Sequence, residues 1–188
     1  MEELLSTIRK CTVCEKFLPQ GANPILDIQT TSKILLISQA PGRVAHLKSI
    51  PWDDAGGKRL KTWLNVSEEQ FYNTKNFAIF PMAFCYPGKA KIGDLPPRPE
   101  CAPLWHQQVL SKMTSKPLKI LIGKYAQDYY LNDKKTLTER VKNCVSYLPT
   151  YLPLPHPSPV NRFWIQKNPW FLDITIPILQ NKIHTMLR

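Results

Sequence analysis

Four short apolar runs predict the strands of a buried sheet. Residues 33–38 read Lys-Ile-Leu-Leu-Ile-Ser, a continuous apolar run of the kind found in parallel strands that are covered on both faces. Residues 77–84, 118–123 and 147–154 are similarly apolar, and the last of these runs ends among prolines.

Helical patterns separate and flank these runs. Five stretches are predicted as helices from their apolar spacing and composition: 2–10, 58–64, 102–113, 125–131 and 171–187. Pro177 predicts that the last of them is kinked or starts late. Because strands and helices alternate, we expect an α/β fold in which helices flank a parallel sheet. A chain of 188 residues fits one domain, residues 1–188.

A proline-rich loop follows the fourth apolar run. Residues 155–160 read Pro-His-Pro-Ser-Pro-Val, and three prolines in five residues exclude both a helix and a central strand. The loop therefore presents His156 and Ser158 from a stiff backbone, which suits a task with tight geometry. The alternative is an ordinary surface turn with an inactive histidine.

Two further segments favour a functional site. The turn at residues 38–42, Ser-Gln-Ala-Pro-Gly, follows the first strand at the sheet edge where open α/β proteins place their ligands. Residues 50–57 then bring together Trp52, Asp53, Asp54 and two glycines, which let the backbone approach a ligand such as a phosphate. Capping of the next helix is the alternative role for the two aspartates.

Four of the five cysteines form two candidate pairs. Cys11 and Cys14 lie between a helix and a run containing proline, which favours metal binding over a thioredoxin-type redox role. With Cys85 and Cys101 they supply four thiolates, enough for a tetrahedral zinc site or a [4Fe–4S] cluster. The alternative is that Cys85 and Cys101 are ordinary buried thiols. Cys144 is expected to lie in the core.

The charge and the lack of a long apolar run restrict the partners. The formal net charge of +11 favours a polyanion, although charge alone is weak evidence. No apolar run approaches the roughly 18 residues of a membrane span. The acidic start also lacks the basic and apolar regions of a signal peptide. We therefore expect a cytoplasmic protein with no membrane partner. A monomer is the expected oligomeric state, although the sequence does not settle it.

The two loops together resemble the active-site motifs of the uracil-DNA glycosylase superfamily. Its members carry a Gly-x-(Asp/Asn/Ala)-Pro turn after the first strand and a His-Pro-Ser loop after the last, similar to residues 38–42 and 156–159 here. The resemblance covers nearly the whole chain, from Cys11 to about Trp170. It implies a three-layer α/β/α fold with a four-stranded parallel sheet, and DNA as the partner.

The cysteines extend this resemblance to one branch of the superfamily. Cys11, Cys14, Cys85 and Cys101 resemble the ligands of the iron–sulfur, family 4-like branch, including the 16-residue step from the third to the fourth. The resemblance thus implies a [4Fe–4S] cluster. Structural zinc, or no retained metal, are the alternatives.

The resemblance also implies roles for individual residues. Trp52 corresponds to the aromatic residue on which a flipped-out base stacks, and His156 to the residue that hydrogen-bonds the base carbonyl oxygen as negative charge develops there. Val160 stands where relatives place an apolar wedge that fills the gap left by the base. The remaining DNA contacts are implied for Ser158, Arg162 and the backbones of Gly42 and Gly57.

Two departures concern the water that completes hydrolysis. Ala40 stands where the most active relatives carry a water-positioning Asp or Asn, as it also does in the iron–sulfur members. Gln39 stands where those members often have Glu, and an amide holds a water without taking its proton. Asp53 or Asp54 is therefore the candidate that orients the water or steadies the sugar cation.

A third departure concerns reading of the base. Relatives carry an Asn that recognises uracil at the end of the second strand, where this chain has Pro81 and Met82. Neither side chain pairs with a base edge, so discrimination is expected to weaken. We expect Met82 to pack against the base instead.

Three functions remain open from the sequence. The first is a monofunctional DNA N-glycosylase, a repair hydrolase that removes a deaminated base, with uracil the first candidate. The second is a weakly active or inactive nucleic-acid-binding iron–sulfur protein of the same fold, which Ala40 and the missing Asn favour. The third is a metalloprotein that senses redox state and binds a nucleotide-like ligand.

Overall fold

Four parallel strands form a single sheet. The structure is a computed structural model that describes residues 1–188. The strands are β1 (Ile34–Ile37), β2 (Phe77–Ile79), β3 (Leu118–Ile122) and β4 (Tyr151–Leu154). They are arranged in the order β2-β1-β3-β4, and every neighbouring pair is parallel. The predicted four-stranded parallel sheet is confirmed.

Nine α-helices surround the sheet. They are α1 (Glu2–Arg9), α2 (Arg43–Lys48), α3 (Ala55–Leu64), α4 (Glu68–Tyr72), α5 (Cys101–Leu110), α6 (Lys124–Tyr130), α7 (Leu137–Lys142), α8 (Arg162–Lys167) and α9 (Ile176–Leu187). Short 3-10 helices span Glu15–Phe17, Cys144–Tyr147 and Pro159–Asn161, and a π-helix spans Phe171–Thr175. None of the helices is both long enough and apolar enough to cross a membrane.

The strands bury both faces because alternate side chains point to opposite sides. On one face, Ile34 and Leu36 of β1 join a core that includes residues of α3 and α9. On the other face, Leu35 and Ile37 pack in a second core with residues of α1 and α5. Helices thus cover both faces, and the three-layer α/β/α architecture is confirmed.

The outer strands differ in length from the apolar runs that predicted them. β2 ends at Ile79, although hydrogen bonds to the β1 segment continue beyond it: the Phe80 N–H donates to the Leu36 carbonyl oxygen at 3.0 Å and the Met82 N–H to the Ser38 carbonyl oxygen at 2.7 Å. Pro153 lies inside β4, which is tolerated because β4 is an edge strand.

The register brings the carboxyl ends of the strands to one edge. Ile37 of β1 is level with Leu121 of β3, which is itself level with Pro153 of β4. The turn after β1 and the loop after β4 therefore emerge on the same side of the sheet, although β3 separates the two strands.

Four of the nine helices were not predicted from the sequence: α2, α4, α7 and α8. Each is only five or six residues long, too short for its apolar spacing to be distinctive. The last helical region begins as the π-helix, and α9 starts only at Ile176, next to Pro177. The late start is therefore confirmed. Cys144 is buried in the core as predicted.

Candidate active site

A cavity of about 300 Å³ opens at the carboxyl edge of the sheet. Its wall comes from the turn after β1, the segment before α3, the loop after β2 and the loop after β4. Eight residues predicted for the site line it: Gln39, Ala40, Gly42, Trp52, Asp54, His156, Ser158 and Val160. The fold thus gathers motifs that are separated by more than a hundred residues in the sequence.

Four predicted site residues lie outside this wall. Asp53 faces solvent and pairs with Lys48 Nζ at 2.8 Å, and Arg162 lies over the exposed ring of Phe163. Met82 is buried in the second core, so the expected packing of Met82 against a base does not fit its position. Pro81, its neighbour, lines the cavity instead.

Gly57 also has a different role from the predicted phosphate contact. Its N–H donates to Asp54 Oδ1 at 2.8 Å, so this donor is already used. A Cβ at Gly57 would lie 1.8 Å from the Trp52 carbonyl oxygen, a distance no side chain tolerates. Glycine is required here because α3 packs directly against the backbone that carries Trp52.

The His156 loop is held by hydrogen bonds from three directions. Arg59 of α3 donates from Nη1 to the Pro157 and Ser158 carbonyl oxygens at 3.1 and 3.3 Å. Asn161 Nδ2 donates to the His156 carbonyl oxygen at 2.8 Å. Gln127 Nε2 donates to the carbonyl oxygen of Leu154, at the end of β4, at 2.9 Å. The prolines stiffen the loop, and these bonds fix its position.

The ring of His156 has a defined tautomer in this arrangement. The backbone N–H of Ser158 donates to Nδ1 at 3.2 Å. Nδ1 is therefore the acceptor, and the proton of a neutral imidazole resides on Nε2. Since His156 lines the cavity, Nε2–H is the donor available to a ligand.

The charge state of His156 is set by its surroundings. Burial lowers its pKa to about 4, and the negative charge of Asp54 opposes this shift only in part. The imidazole is consequently neutral at physiological pH. A neutral ring donates a hydrogen bond without being a strong acid.

Trp52 lies beside His156 on the cavity wall. The two ring centroids are 5.8 Å apart and the planes are inclined by 31°. Trp52 has a φ of +60°, which is uncommon for a bulky residue. Backbone strain of this kind is concentrated at functional sites. Trp52 and Asp54, two residues apart in this turn, both line the cavity.

Asp54 caps α3 and also lines the cavity. It is the N-cap of α3, where its Oδ1 accepts the Gly57 N–H. Its Oδ2 lies 3.5 Å from the point that a Cβ on Gly42 would occupy, which places this second oxygen toward the turn after β1. The capping bond holds the carboxylate still and leaves Oδ2 facing the cavity.

Asp94 is a second cavity carboxylate, and it was not predicted. Its Oδ2 approaches the same Gly42 point at 3.9 Å, and its Oδ1 accepts from Tyr86 Oη at 3.4 Å. The loop that carries Asp94 is tied to the turn after β1, because Gln39 Nε2 donates to the Leu95 carbonyl oxygen at 2.8 Å. Gln39 is thereby fixed with its amide oxygen as the remaining acceptor.

Sequence reasoning missed Asp94, Ile92, Asn161 and Arg59. Asp94 and Ile92 lie in a loop whose apolar and polar residues follow no helical or strand period. The sequence therefore indicated a long, proline-rich loop there, but not which of its residues line the cavity. Asn161 directly follows the His-Pro-Ser-Pro motif, and that closeness was a usable signal. The sequence contained no signal for the role of Arg59, since an arginine on a helix is usually solvent-exposed.

The four predicted metal ligands lie together on the other side of the loop after β2. Cys11, Cys14, Cys85 and Cys101 all line one small, mostly apolar pocket. Cys14 Sγ lies 3.8 Å from an oxygen of Glu100, the residue before Cys101. No three His, Cys, Asp or Glu side chains are close enough together to bind a single metal ion. The thiols therefore surround a space without converging on one point.

Burial disfavours the thiolate form in this pocket. It raises the pKa of Cys85 to about 11 and that of Cys101 to about 12. Thiolates in such a place need a positive charge beside them, as a bound metal centre provides. The donor set thus fits a metal cluster chemically.

A comparison with known families agrees with the fold and with the motifs at the cavity. The family model described as the uracil DNA glycosylase superfamily matches residues 27–180. This match contains both loops, Trp52, Asp54 and two of the four pocket cysteines, but it begins after Cys11 and Cys14. The iron–sulfur branch therefore stays a prediction. Because the match covers most of the sequence, the chain belongs to the uracil DNA glycosylase superfamily.

Proposed function

We propose that the protein is a monofunctional DNA N-glycosylase that hydrolyses the bond between a flipped-out deaminated base and its sugar, with uracil the first candidate. The carrying observation is His156: its Nδ1 accepts the Ser158 N–H, which leaves Nε2–H as the free donor of a ring that lines the cavity beside Trp52. Membership of the superfamily supports the reaction class.

The base would enter the cavity against Trp52. A base cannot react inside the duplex, so the nucleotide must leave the stack. A cavity of about 300 Å³ lies within the size range of small-molecule pockets. Trp52 lines this cavity although it is only 8% exposed, and its ring would be the surface on which the base stacks. The turn that carries Trp52 is held in place because Gly57 packs against its backbone.

His156 would stabilise the leaving base. When the C1′–N bond breaks, its electron pair passes to the base and negative charge develops on the carbonyl oxygen. A neutral Nε2–H fixed at that oxygen acts as an oxyanion donor. The depressed pKa of His156 suits this role, because the ring donates a hydrogen bond and keeps its proton.

Asp54 and Asp94 would serve the sugar and the water. The sugar becomes cation-like as the bond breaks, and a nearby carboxylate lowers the energy of that charge. Water then bonds to C1′ through its oxygen and loses a proton to a carboxylate, which later releases it to solvent. The oxygens Oδ2 of Asp54 and Asp94 both approach the Gly42 turn, and Gln39 is fixed there as an acceptor.

Selectivity among bases depends on the residues that meet the edge of the base in the cavity. Pro81 lines the cavity where relatives carry the reading Asn, and its carbonyl oxygen is occupied by His106 Nε2 at 3.0 Å. Pro81 therefore gives the base edge no hydrogen-bond partner. We expect weaker discrimination among deaminated bases than an amide would give.

The four pocket cysteines would hold a [4Fe–4S] cluster. All four cysteines line one pocket, and four thiolates are the ligand set of such a cluster. The cluster would act as a structural tie between the N-terminal segment and the segment from Cys85 to Cys101. That segment carries Asp94, so the tie would also support the active site. The cytoplasmic location and the monomeric state stay predictions.

The proposed reaction predicts excision that depends on His156. Single- and double-stranded oligonucleotides containing uracil, hypoxanthine or xanthine are incubated with protein, and alkali-induced strand cleavage is measured. We expect cleavage of at least one substrate, and a loss of roughly 10²–10³-fold in rate for His156→Ala, as for removal of an oxyanion donor. His184→Ala, on the exposed face of α9, is the matched control and should cleave like wild type.

Two results would count against this function. Equal rates for His156→Ala and wild type would remove the assigned role. Binding to every oligonucleotide without cleavage of any would show a recognition protein of the same fold.

The roles proposed for Asp54 and Asp94 predict that their replacement lowers kcat, whereas replacement of the neighbouring Asp53 does not. Asp54→Asn retains a good N-cap and removes the charge, so we expect a folded protein with kcat lowered by about 10²-fold. Asp94→Asn should also lower kcat, by at least tenfold as an order of magnitude. Asp53→Asn, whose side chain faces solvent, is the matched control and should leave kcat unchanged. Wild-type kcat in both cavity variants would refute the assignment.

The cluster predicts a colour that depends on particular cysteines. Protein purified without oxygen should show a broad visible absorption band with about four iron atoms per chain. Cys85→Ser or Cys101→Ser should lose most of the iron, whereas Cys144→Ala, outside the pocket, should retain it. Stoichiometric zinc without the band would contradict the cluster.

A further inference from the structure

We propose that the hairpin of residues 88–95, in the loop after β2, is a second DNA-contacting element: Ile92 inserts into a duplex from a different loop than Val160, while Lys89 and Lys91 contact phosphates. This inference rests on the proposed function, since it names how the same site would engage double-stranded DNA.

The hairpin is a defined structure. Lys89 and Asp94 form an antiparallel bridge. The N–H of Ala90 donates to the Gly93 carbonyl oxygen at 3.1 Å, and Gly93 supplies the positive φ that the turn needs. Lys91 and Ile92 consequently occupy the tip.

Ile92 is placed where an apolar side chain is unexpected. Its exposed fraction is 75%, the highest among the large hydrophobic residues that face solvent, and it also lines the mouth of the cavity. Val160, from the loop after β4, lines the same mouth and is 56% exposed. A single exposed apolar residue needs no explanation. Two of them on different loops at one cavity mouth indicate a surface that is buried on binding.

The charges beside Ile92 indicate that the hairpin binds an anionic partner. Lys89 and Lys91 are exposed, and neither belongs to any of the ion pairs in the structure. Cations without carboxylate partners next to an apolar tip are complementary to a strand of phosphates around stacked bases. The chain's formal net charge of +11 agrees with an anionic partner.

The hairpin is also braced from behind. Leu95 donates its N–H to the Gly88 carbonyl oxygen at 2.9 Å, and its own carbonyl oxygen accepts from Gln39. A Cβ on Gly88 would lie 3.1 Å from Pro19 Cγ, so the base of the hairpin packs closely against the N-terminal segment. An inserted side chain must resist the duplex, and these contacts provide that support.

The two wedges would have different effects on single and double strands. Flipping a nucleotide leaves a gap in its own strand and an unpaired base in the other. Val160 lies on the same loop as His156 and would therefore be close to the flipped nucleotide. Ile92 stands on a separate loop and would contact the unpaired base of the opposite strand, which a single strand lacks.

The decisive experiment compares Ile92→Ala on both forms of DNA. Binding is measured to a duplex and to a single strand that each carry a stable abasic-site analogue, so that no excision is needed for the readout. We expect the affinity of Ile92→Ala for the duplex to fall roughly tenfold or more, and its affinity for the single strand to stay within about twofold of wild type. Ile174→Ala, exposed in the π-helix and outside the cavity, is the matched control.

The lysines give an independent measurement. For Lys89→Ala with Lys91→Ala, the slope of log Kd against log salt on the duplex should fall by about two, because each phosphate contact contributes about 0.9. Lys134→Ala with Lys135→Ala removes the same charge from an exposed loop between α6 and α7 and should leave the slope unchanged.

Three outcomes would overturn the inference. These are unchanged duplex affinity in Ile92→Ala, equal losses on duplex and single strand, or equal slopes for the two lysine pairs. Because this readout needs no catalysis, a protein that binds duplex through Ile92 and excises no base would refute the proposed function and leave the hairpin assignment intact.

Discussion

The candidate site depends on the fixed backbone of the loop after β4. Prolines remove most of its freedom, and hydrogen bonds from Arg59 and Asn161 hold its carbonyl groups. With that backbone fixed, the Ser158 N–H is placed to donate to His156 Nδ1, and the available proton must reside on Nε2. One backbone hydrogen bond thereby decides which atom His156 offers to a ligand. Arg59 belongs to α3, so the same bond network joins this loop to the segment that carries Trp52 and Asp54.

The sheet brings the parts together, and close packing gives them their geometry. Parallel register places the turn after β1 and the loop after β4 at one edge. Gly57 lets α3 approach the Trp52 backbone, and the capping bond orients Asp54. The loop after β2 then closes the cavity with Asp94 and bears the cysteine pocket at its base. A disturbance of the cysteine segment would therefore be transmitted to a cavity carboxylate through a short length of chain.

The sequence was most informative where local chemistry dictates structure. Continuous apolar runs identified the four strands, since buried parallel strands need no polar face. Proline spacing identified the stiff loop, and helix capping was a correct alternative for Asp54. It was least informative where long-range contacts decide. Met82 lies in the second core rather than at the cavity because of the path that the chain takes after Pro81. The roles of Arg59 and Asp94 depend on contacts with segments far away in the sequence. The helix at 43–48 is six residues long, too short for its pattern to be distinguished from a polar loop.

The most direct test of this account is the protonation of His156, measured by nitrogen NMR of the imidazole ring between pH 4 and pH 8. Burial lowers the pKa of His156 to about 4, so the ring should stay neutral through this range and gain its second proton only near the lower limit. The Nε2–H tautomer should dominate, with Nδ1 as the acceptor, and His184 on the exposed face of α9 serves as the internal reference. An imidazolium at pH 6, or a neutral ring protonated on Nδ1, would contradict the account, because the cavity would then lack the donor on which the proposed excision depends.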